Sequence, residues 1–530
     1  MKSHIGTLFD KSSAILPSRP LLKLSALSLA LLPLMLIPHA EAKPSKSTPA
    51  ATNKSSSEMT YLEELGKRLF FENISEPKRQ SCSSCHYPPA GGTNQHSGVN
   101  LKQVAVTGAD PNGDNNDTPP GVKNAGGLKP PTNKYVQHMD ENGDVVGLKN
   151  FQINGCNSVL NTPRGPITLF FTCGGAFWNG RASGHEIDDS KANAFSFSEN
   201  AKVSEFKRMY EKYLGPVADQ AFASPFINHV EQGIGEGKPE TRLEDIKLVC
   251  EQVAKSAWGN ELYEYAWDEP LDCSDKNKLD TVFARFAIAL SAWQLSSENN
   301  PYDSKRDKAL LATESRTFPL NGLTEQENEG HELFYGKAGC AAICHRSNQE
   351  DDKDGTLLHQ RYTDDAFHNI GVPRNYELPG SPEPDEGLYG VTEDERDKGL
   401  HKTPTLRNVD LRPGNGFTKA YTHNGWFKNL ETLVHFYNSA DVNGATAKGF
   451  GITRCPEGVQ TQAEALANNC WPASEFPDTS VIGVAIGNLG LTSDEEAAIV
   501  AYLKTLSDTS IVQSPKPYKS APYDESRMEH

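Results

Sequence analysis

After residue 37 the chain has no apolar run long enough to cross a membrane, and no stretch with the period-two alternation of a half-buried strand. Both observations point to a fold made mainly of helices. Methionine is scarce: there are six in 530 residues and none between Met209 and Met528, so almost the whole C-terminal half lacks that thioether. Positive charge is in deficit, with 52 Lys and Arg against 69 Asp and Glu. A formal net charge of −17 speaks against a nucleic-acid partner, whose phosphates would repel it, and suits a basic protein partner. Apolar residues make up only 37%, while 43 Gly and 34 Pro are present, the composition of a loop-rich chain of short helices. At this length two domains are expected rather than one core.

Residues 1–42 read as a signal peptide. Lys11, Arg19 and Lys23 precede an apolar stretch from Leu24 to Ile37, and Ala40-Glu41-Ala42 supplies a small-x-small cleavage pattern. The stretch, roughly fourteen residues, falls short of the ~20 that a spanning helix needs. Residues 43–57 form a Pro/Ser/Thr/Lys tether without apolar period. The mature chain is therefore expected in the periplasm or at the cell surface, where disulfides persist.

Ten cysteines are present, four of them in clusters that end in histidine: Cys82-Ser83-Ser84-Cys85-His86 and Cys340-Ala341-Ala342-Ile343-Cys344-His345. The first is the c-type haem attachment pattern, in which two thioethers reach the two vinyl groups of one porphyrin edge and the adjacent His ligates iron. The second carries one extra intervening residue. Both follow the same phrase, Gly66-Lys67-Arg68-Leu69-Phe70-Phe71 and Gly330-His331-Glu332-Leu333-Phe334-Tyr335, which reads as a duplicated haem domain. Zinc would require two close ligand pairs, and neither cluster has a matching pair nearby. The other six cysteines allow fifteen connectivities, of which nearest-neighbour order gives Cys156 with Cys173, Cys250 with Cys273 and Cys455 with Cys470, each closing a short loop.

Helical patterns are strongest in three places. Thr241 to Glu244 is a capping box opening a run with Leu243, Ile246, Val249, Val253 and Ala257 on one face. Lys278 to Ser296 carries Val282, Phe283, Phe286, Leu290 and Trp293 inward, and Thr492 caps a run that buries Ile499, Val500, Leu503 and Leu506. The expected organisation is an N-terminal haem domain over 58–300 with an insertion at 101–155, a linker at 301–324, a C-terminal haem domain at 325–508 and a tail at 509–530. Asp110, Asn112, Asp114 and Asp117 lie in the insertion, but Asn115 and Gly121 stand where an EF-hand loop needs Gly and Glu.

Over residues 58–508 the chain resembles the bacterial di-haem cytochrome c peroxidase and MauG superfamily. Besides the haem motifs, four phrases carry the likeness: Asn161-Thr162-Pro163, Phe177-Trp178-Asn179-Gly180-Arg181-Ala182, Thr403-Pro404-Thr405-Leu406-Arg407-Asn408 and Ala420-Tyr421-Thr422-His423-Asn424-Gly425. The resemblance implies two covalent haems, hydrogen peroxide as substrate, and an electron-donor or substrate protein outside the cytoplasm. It makes His86 the proximal ligand where peroxide reacts, His345 that of the electron-storing haem, and Trp178 the relay between them. It also implies a calcium ion held by Asn161, Thr418 and Ala420, hard oxygen donors that suit that ion.

In the peroxidases the far ligand of the second haem is a Met fourteen residues after the His of a His-Asp-Gly phrase; here that position is Tyr437, the residue MauG-type enzymes use. A phenolate donates charge and stabilises high-valent iron, whereas a thioether raises the potential. His435 is the rival ligand. After Trp178 the family pattern expands, leaving Glu205 and then Glu199 as choices for the base that moves the peroxide proton; His96 is placed to reach the first haem. Two other readings stay open: a non-enzymatic di-haem electron carrier, and a dioxygen-using di-haem oxygenase acting on an organic substrate. The donor, and whether the chain forms a homodimer, are not read from sequence.

Overall fold

A computed structural model describes residues 59–74, 81–85, 242–345 and most of 356–528, with a few residues near 217–221. Trp178, Glu199, Glu205, Asn161, Thr418, Ala420, His86, His96, Cys156 and Cys173 lie outside the described residues, as does the Cys85 side chain. The described elements are mainly α, with four two-residue strands.

Helix α1 (Tyr61–Phe71) starts from a capping box in which Thr60 Oγ1 accepts from the Glu63 amide and the Glu63 carboxylate accepts from the Thr60 amide. It packs with α2 (Arg242–Ala254), α3 (Gly259–Trp267) and α4 (Leu279–Leu295) around a first core containing Leu65, Leu69, Phe70, Ile246, Val249, Val253, Phe283, Phe286 and Trp293. The apolar stripes expected for α2 and α4 supply most of it. The Cys250–Cys273 disulfide joins α2 to the loop before α4.

Residues 301–324, read as a linker from their polarity, hold helix α5 (Lys305–Ala312), capped by Ser304 and Asp307. Its Arg306 and Asp307 point inward. Asp307 accepts from Arg407 through both carboxylate oxygens, at 2.6 and 3.1 Å, and from Arg306 at 2.9 Å. All three are fully buried or nearly so. Burial alone would raise the Asp307 pKa, but the two guanidiniums outweigh it and hold the carboxyl below its usual range.

A second core is built on α6 (Glu325–Tyr335), α7 (Leu430–Ser439) and α8 (Ser493–Lys504), each opened by a side-chain cap, from Thr324, Asn429 and Thr492. Leu333, Phe334, Trp426, Phe427, Val434, Phe436, Ile499, Val500, Leu503 and Leu506 fill it. Antiparallel β1 (Phe367–His368) pairs with β2 (His401–Lys402) at its margin, and parallel β3 (Thr453–Arg454) with β4 (Cys470–Trp471), where Cys455–Cys470 closes the loop.

The repeated Gly has one physical job in both cores. A Cβ on Gly66 would sit 1.9 Å from the Ala289 carbonyl oxygen of α4, and one on Gly330 would sit 2.0 Å from the Ala498 carbonyl oxygen of α8. Only glycine permits backbones to cross this closely. Both cores belong to one compact unit, Glu58–His530.

The C-terminal tail lies on the first core. Tyr523 stacks on Tyr61, Arg527 bonds Glu64 and the Met59 carbonyl, and Tyr518 donates to Glu261. No helix among the described residues is long and apolar enough to cross a membrane.

Asp307→Ala should lower the unfolding free energy by about 3–5 kcal/mol in a urea titration, because it strands two buried guanidiniums. A loss under about 1 kcal/mol would show that the charges relax into solvent.

Candidate functional site: the cavity at the second Cys-His cluster

The second cluster sits in a short turn, Cys340–Ile343, immediately after α6. Cys340 and Cys344 are not joined to each other or to any other cysteine. His345 is buried, and its Nδ1–H donates to the Tyr362 carbonyl at 3.0 Å. That bond fixes the tautomer and leaves Nε2 as a lone-pair donor. Burial pushes the His345 pKa down, so the ring stays neutral and able to ligate.

An apolar cavity opens beside them, with about 540 Å³ between atoms, part of it open to solvent. Its walls come from three helices and the loops beside them: Phe334 of α6, Leu433 and Tyr437 of α7, Leu503 of α8, Leu406 of the Thr-Pro-Thr-Leu-Arg-Asn phrase, and Leu491 just before α8. Cys340 and His345 line it as well. Apart from the Cys340 sulfur, the His345 ring and the Tyr437 hydroxyl, its lining side chains are hydrocarbon. A flat aromatic macrocycle tethered through sulfur fits such a surface, and this donor set suits an attached haem of the c type. Burial raises the Tyr437 phenol well above its usual value, so a cation in the cavity would be needed to release its proton.

His435 points elsewhere. Its Nδ1 bonds Glu496 of α8 at 3.0 and 3.2 Å, and Asn438 donates to the same carboxylate at 2.6 Å. Of the two rival ligands on α7, Tyr437 lines the cavity, while His435 is tied to the neighbouring helix. The two lie two residues apart, which puts them on different faces of the helix. Sequence alone could not choose between them without knowing which face meets the cavity.

Sequence reading missed a polar cluster on the other side of Cys344. His368 Nε2–H donates to Asp364 at 2.7 Å, and the Cys344 sulfur lies close enough that the three ligand atoms are all within 4.8 Å of one another. Burial disfavours the charged ring, but the bond to Asp364 and the sulfur beside it lift the His368 pKa to about 10. His368 stands opposite His401 in the β1–β2 ladder, and His401 stacks on His423 with ring centroids 3.6 Å apart. Isolated histidines in separate phrases carried no signal for this.

At the first cluster, Cys82 lies in a short helical turn against the first core.

Residues 61–311 match the family model described as di-haem cytochrome c peroxidase. The methylamine utilization protein MauG of Paracoccus denitrificans (strain Pd 1222) is 25% identical over 461 residues, covering 84% of this chain and 88% of that protein. Cytochrome-c peroxidase IdrP2 of Pseudomonas sp. (strain SCT) is 30% identical over 224 residues, 39% of this chain and 48% of that protein. Among solved structures, the diheme peroxidase BthA from Burkholderia thailandensis E264 aligns with a TM-score of 0.49 at 22% identity, over 87% of this chain and 90% of that one. The chain is an oxidoreductase of the cytochrome c peroxidase type, and the family that residues 61–311 match is described as di-haem. Over residues 61–311 it is similar to the di-haem cytochrome c peroxidase family, and over most of its length to MauG.

Proposed function

We propose that the chain is an exported di-haem peroxidase of the MauG-like kind, which reduces hydrogen peroxide at the N-terminal haem and stores oxidising equivalents at the C-terminal one. The observation that carries this reading is the apolar cavity lined by Cys340, His345 and Tyr437, with His435 tied away to Glu496. Cys340 and Cys344 would form the thioethers there, and His345 and Tyr437 would ligate the iron. Cys82, Cys85 and His86 hold the other group.

Haem, when bound, supplies the iron at which the peroxide bond breaks and at which electrons are held. The protein's own residues do the rest. Glu205 or Glu199 moves the peroxide proton, a general acid–base role worth ~10²–10⁴-fold. Trp178 passes electrons between the two sites. Asn161, Thr418 and Ala420 hold a calcium ion that fixes their separation. Each peroxide consumes two electrons and two protons and gives two waters, the electrons coming from a donor or substrate protein outside the cytoplasm. The hydrocarbon walls around His345 exclude water and so keep the stored charge from leaking. Support for duplication comes from the matching Gly66 and Gly330 helix crossings.

Tyr437→Met should raise the second haem's reduction potential by on the order of 100 mV or more, within the ~0.8 V that axial ligands span. His435→Gln should leave it in place. A potential that follows His435 and ignores Tyr437 would reverse the ligand assignment.

EPR of the ferric protein should give a high-spin signal beside a low-spin one, and stoichiometric peroxide without reductant should bleach both. Two low-spin signals indifferent to peroxide would instead identify an electron carrier.

A further inference from the structure

Three buried histidines, each facing a carboxylate, lead away from Cys344. His368 bonds Asp364, His423 Nε2–H donates to Glu475 at 2.8 Å, and His401 faces Asp385. Glu475 also accepts from Asn424 at 3.0 Å, so its position is fixed from two sides. The middle histidine differs from its neighbours. His401 Nδ1–H donates to the Gly399 carbonyl at 3.0 Å, which places the proton of the neutral ring on Nδ1. Nε2 is then a bare lone pair, buried and without a hydrogen-bond partner among the described residues. It lies 3.5 Å from Asp385 Oδ1.

A lone pair aimed at a carboxylate is a place for one proton: adding it turns two acceptors into an N–H···O bond between opposite charges. Two influences oppose that proton. Burial disfavours the cation, and the His423 ring stacked on His401 repels it; together they hold the His401 pKa below its ordinary value. Asp385 and Glu475 favour it, and across the ladder His368 stands with Asp364 and Cys344. A unit of negative charge added nearby in a low-dielectric interior shifts that balance toward the proton.

We propose that His401 is a redox-linked proton site: it takes one proton from solvent by way of Asp385 when the haem at Cys344 accepts an electron, and returns it when that haem is oxidised. The electron comes from the donor that the peroxidase reaction requires, and the proton from water, so each one-electron step is matched by one proton. Asp385, partly exposed, is the route to solvent, and the His401–His368 ladder pair couples the charge to the haem edge. The inference rests on the reading of Cys340, Cys344 and His345 as a haem site.

The sign follows from the charges. Reduction adds negative charge and raises the affinity of His401 for its proton. Between the affinities of the oxidised and reduced states the potential must fall as pH rises, and outside that window it is flat.

The test is potentiometry of the full di-haem protein from about pH 5 to 8, after a haem count, on the natural chain, His401→Asn and Asp385→Asn. His401→Asn keeps a donor for Gly399 and removes Nε2. The natural protein should show one wave falling by up to about 59 mV for each tenfold drop in proton concentration, and both variants should flatten it. A variant chain that does not fold leaves the other to decide, since either must lose the slope. Two haems with potentials flat in pH, or a slope retained in whichever variants fold, overturns the inference alone. A protein that carries a single haem overturns the haem reading and this inference together.

Discussion

The carbonyl oxygen of Ala498 occupies the place where any side chain on residue 330 would begin, and the second site depends on that contact. Because residue 330 is glycine, α6 and α8 come together at backbone distance. Phe334, one turn further along α6, then meets Leu503 of α8 across the same cavity. The turn bearing Cys340, Cys344 and His345 follows directly from the end of α6, so the helix crossing also sets where the sulfur and imidazole donors stand. The same crossing recurs at Gly66 and Ala289 in the first core, where α1 leads toward Cys82. One device, a glycine one turn before a Leu-Phe pair, positions the approach to both Cys-His clusters.

The cavity separates two kinds of chemistry. On one side are hydrocarbon walls and Tyr437; on the other, beyond Cys344, lie buried histidines and carboxylates. The two sides follow from the elements that supply them. Helices α6, α7 and α8 present apolar stripes, whereas the β1–β2 ladder and the loop reaching Glu475 bring polar side chains to its margin, where each finds an opposite charge or a carbonyl. Buried polar groups in such a cluster are tolerable only because nearly all are paired. His401 Nε2, the nitrogen left without a hydrogen bond, is where the cluster can still change state.

Charge also ties distant parts of the chain together. Asp307 on α5 grips Arg407, which lies 100 residues away in the phrase that carries Leu406 into the cavity wall. The tail returns from α8 to clasp α1 through Tyr523 and Arg527. A reading based on hydrophobic period treats both segments as solvated, because their anchoring residues are polar. Only the partners supplied by the fold make them structural.

The sequence by itself determined the helical elements and the spacing of the two Cys-His clusters, and nearest-neighbour order suggested the pairing of Cys250 with Cys273 and of Cys455 with Cys470 that the fold selects. These are local properties. A 3.6-residue period, a capping box or a short loop between cysteines needs no knowledge of the rest of the chain. Position 437 was legible as a candidate, but the choice between Tyr437 and His435 was not, since it turns on which face of α7 looks into the cavity. The burial of α5 around Asp307, the clasp of the tail and the alignment of His368, His401 and His423 were likewise decided by tertiary structure. Each joins residues far apart in the chain, and the energy of a buried charge or hydrogen bond depends on a partner that local pattern does not name.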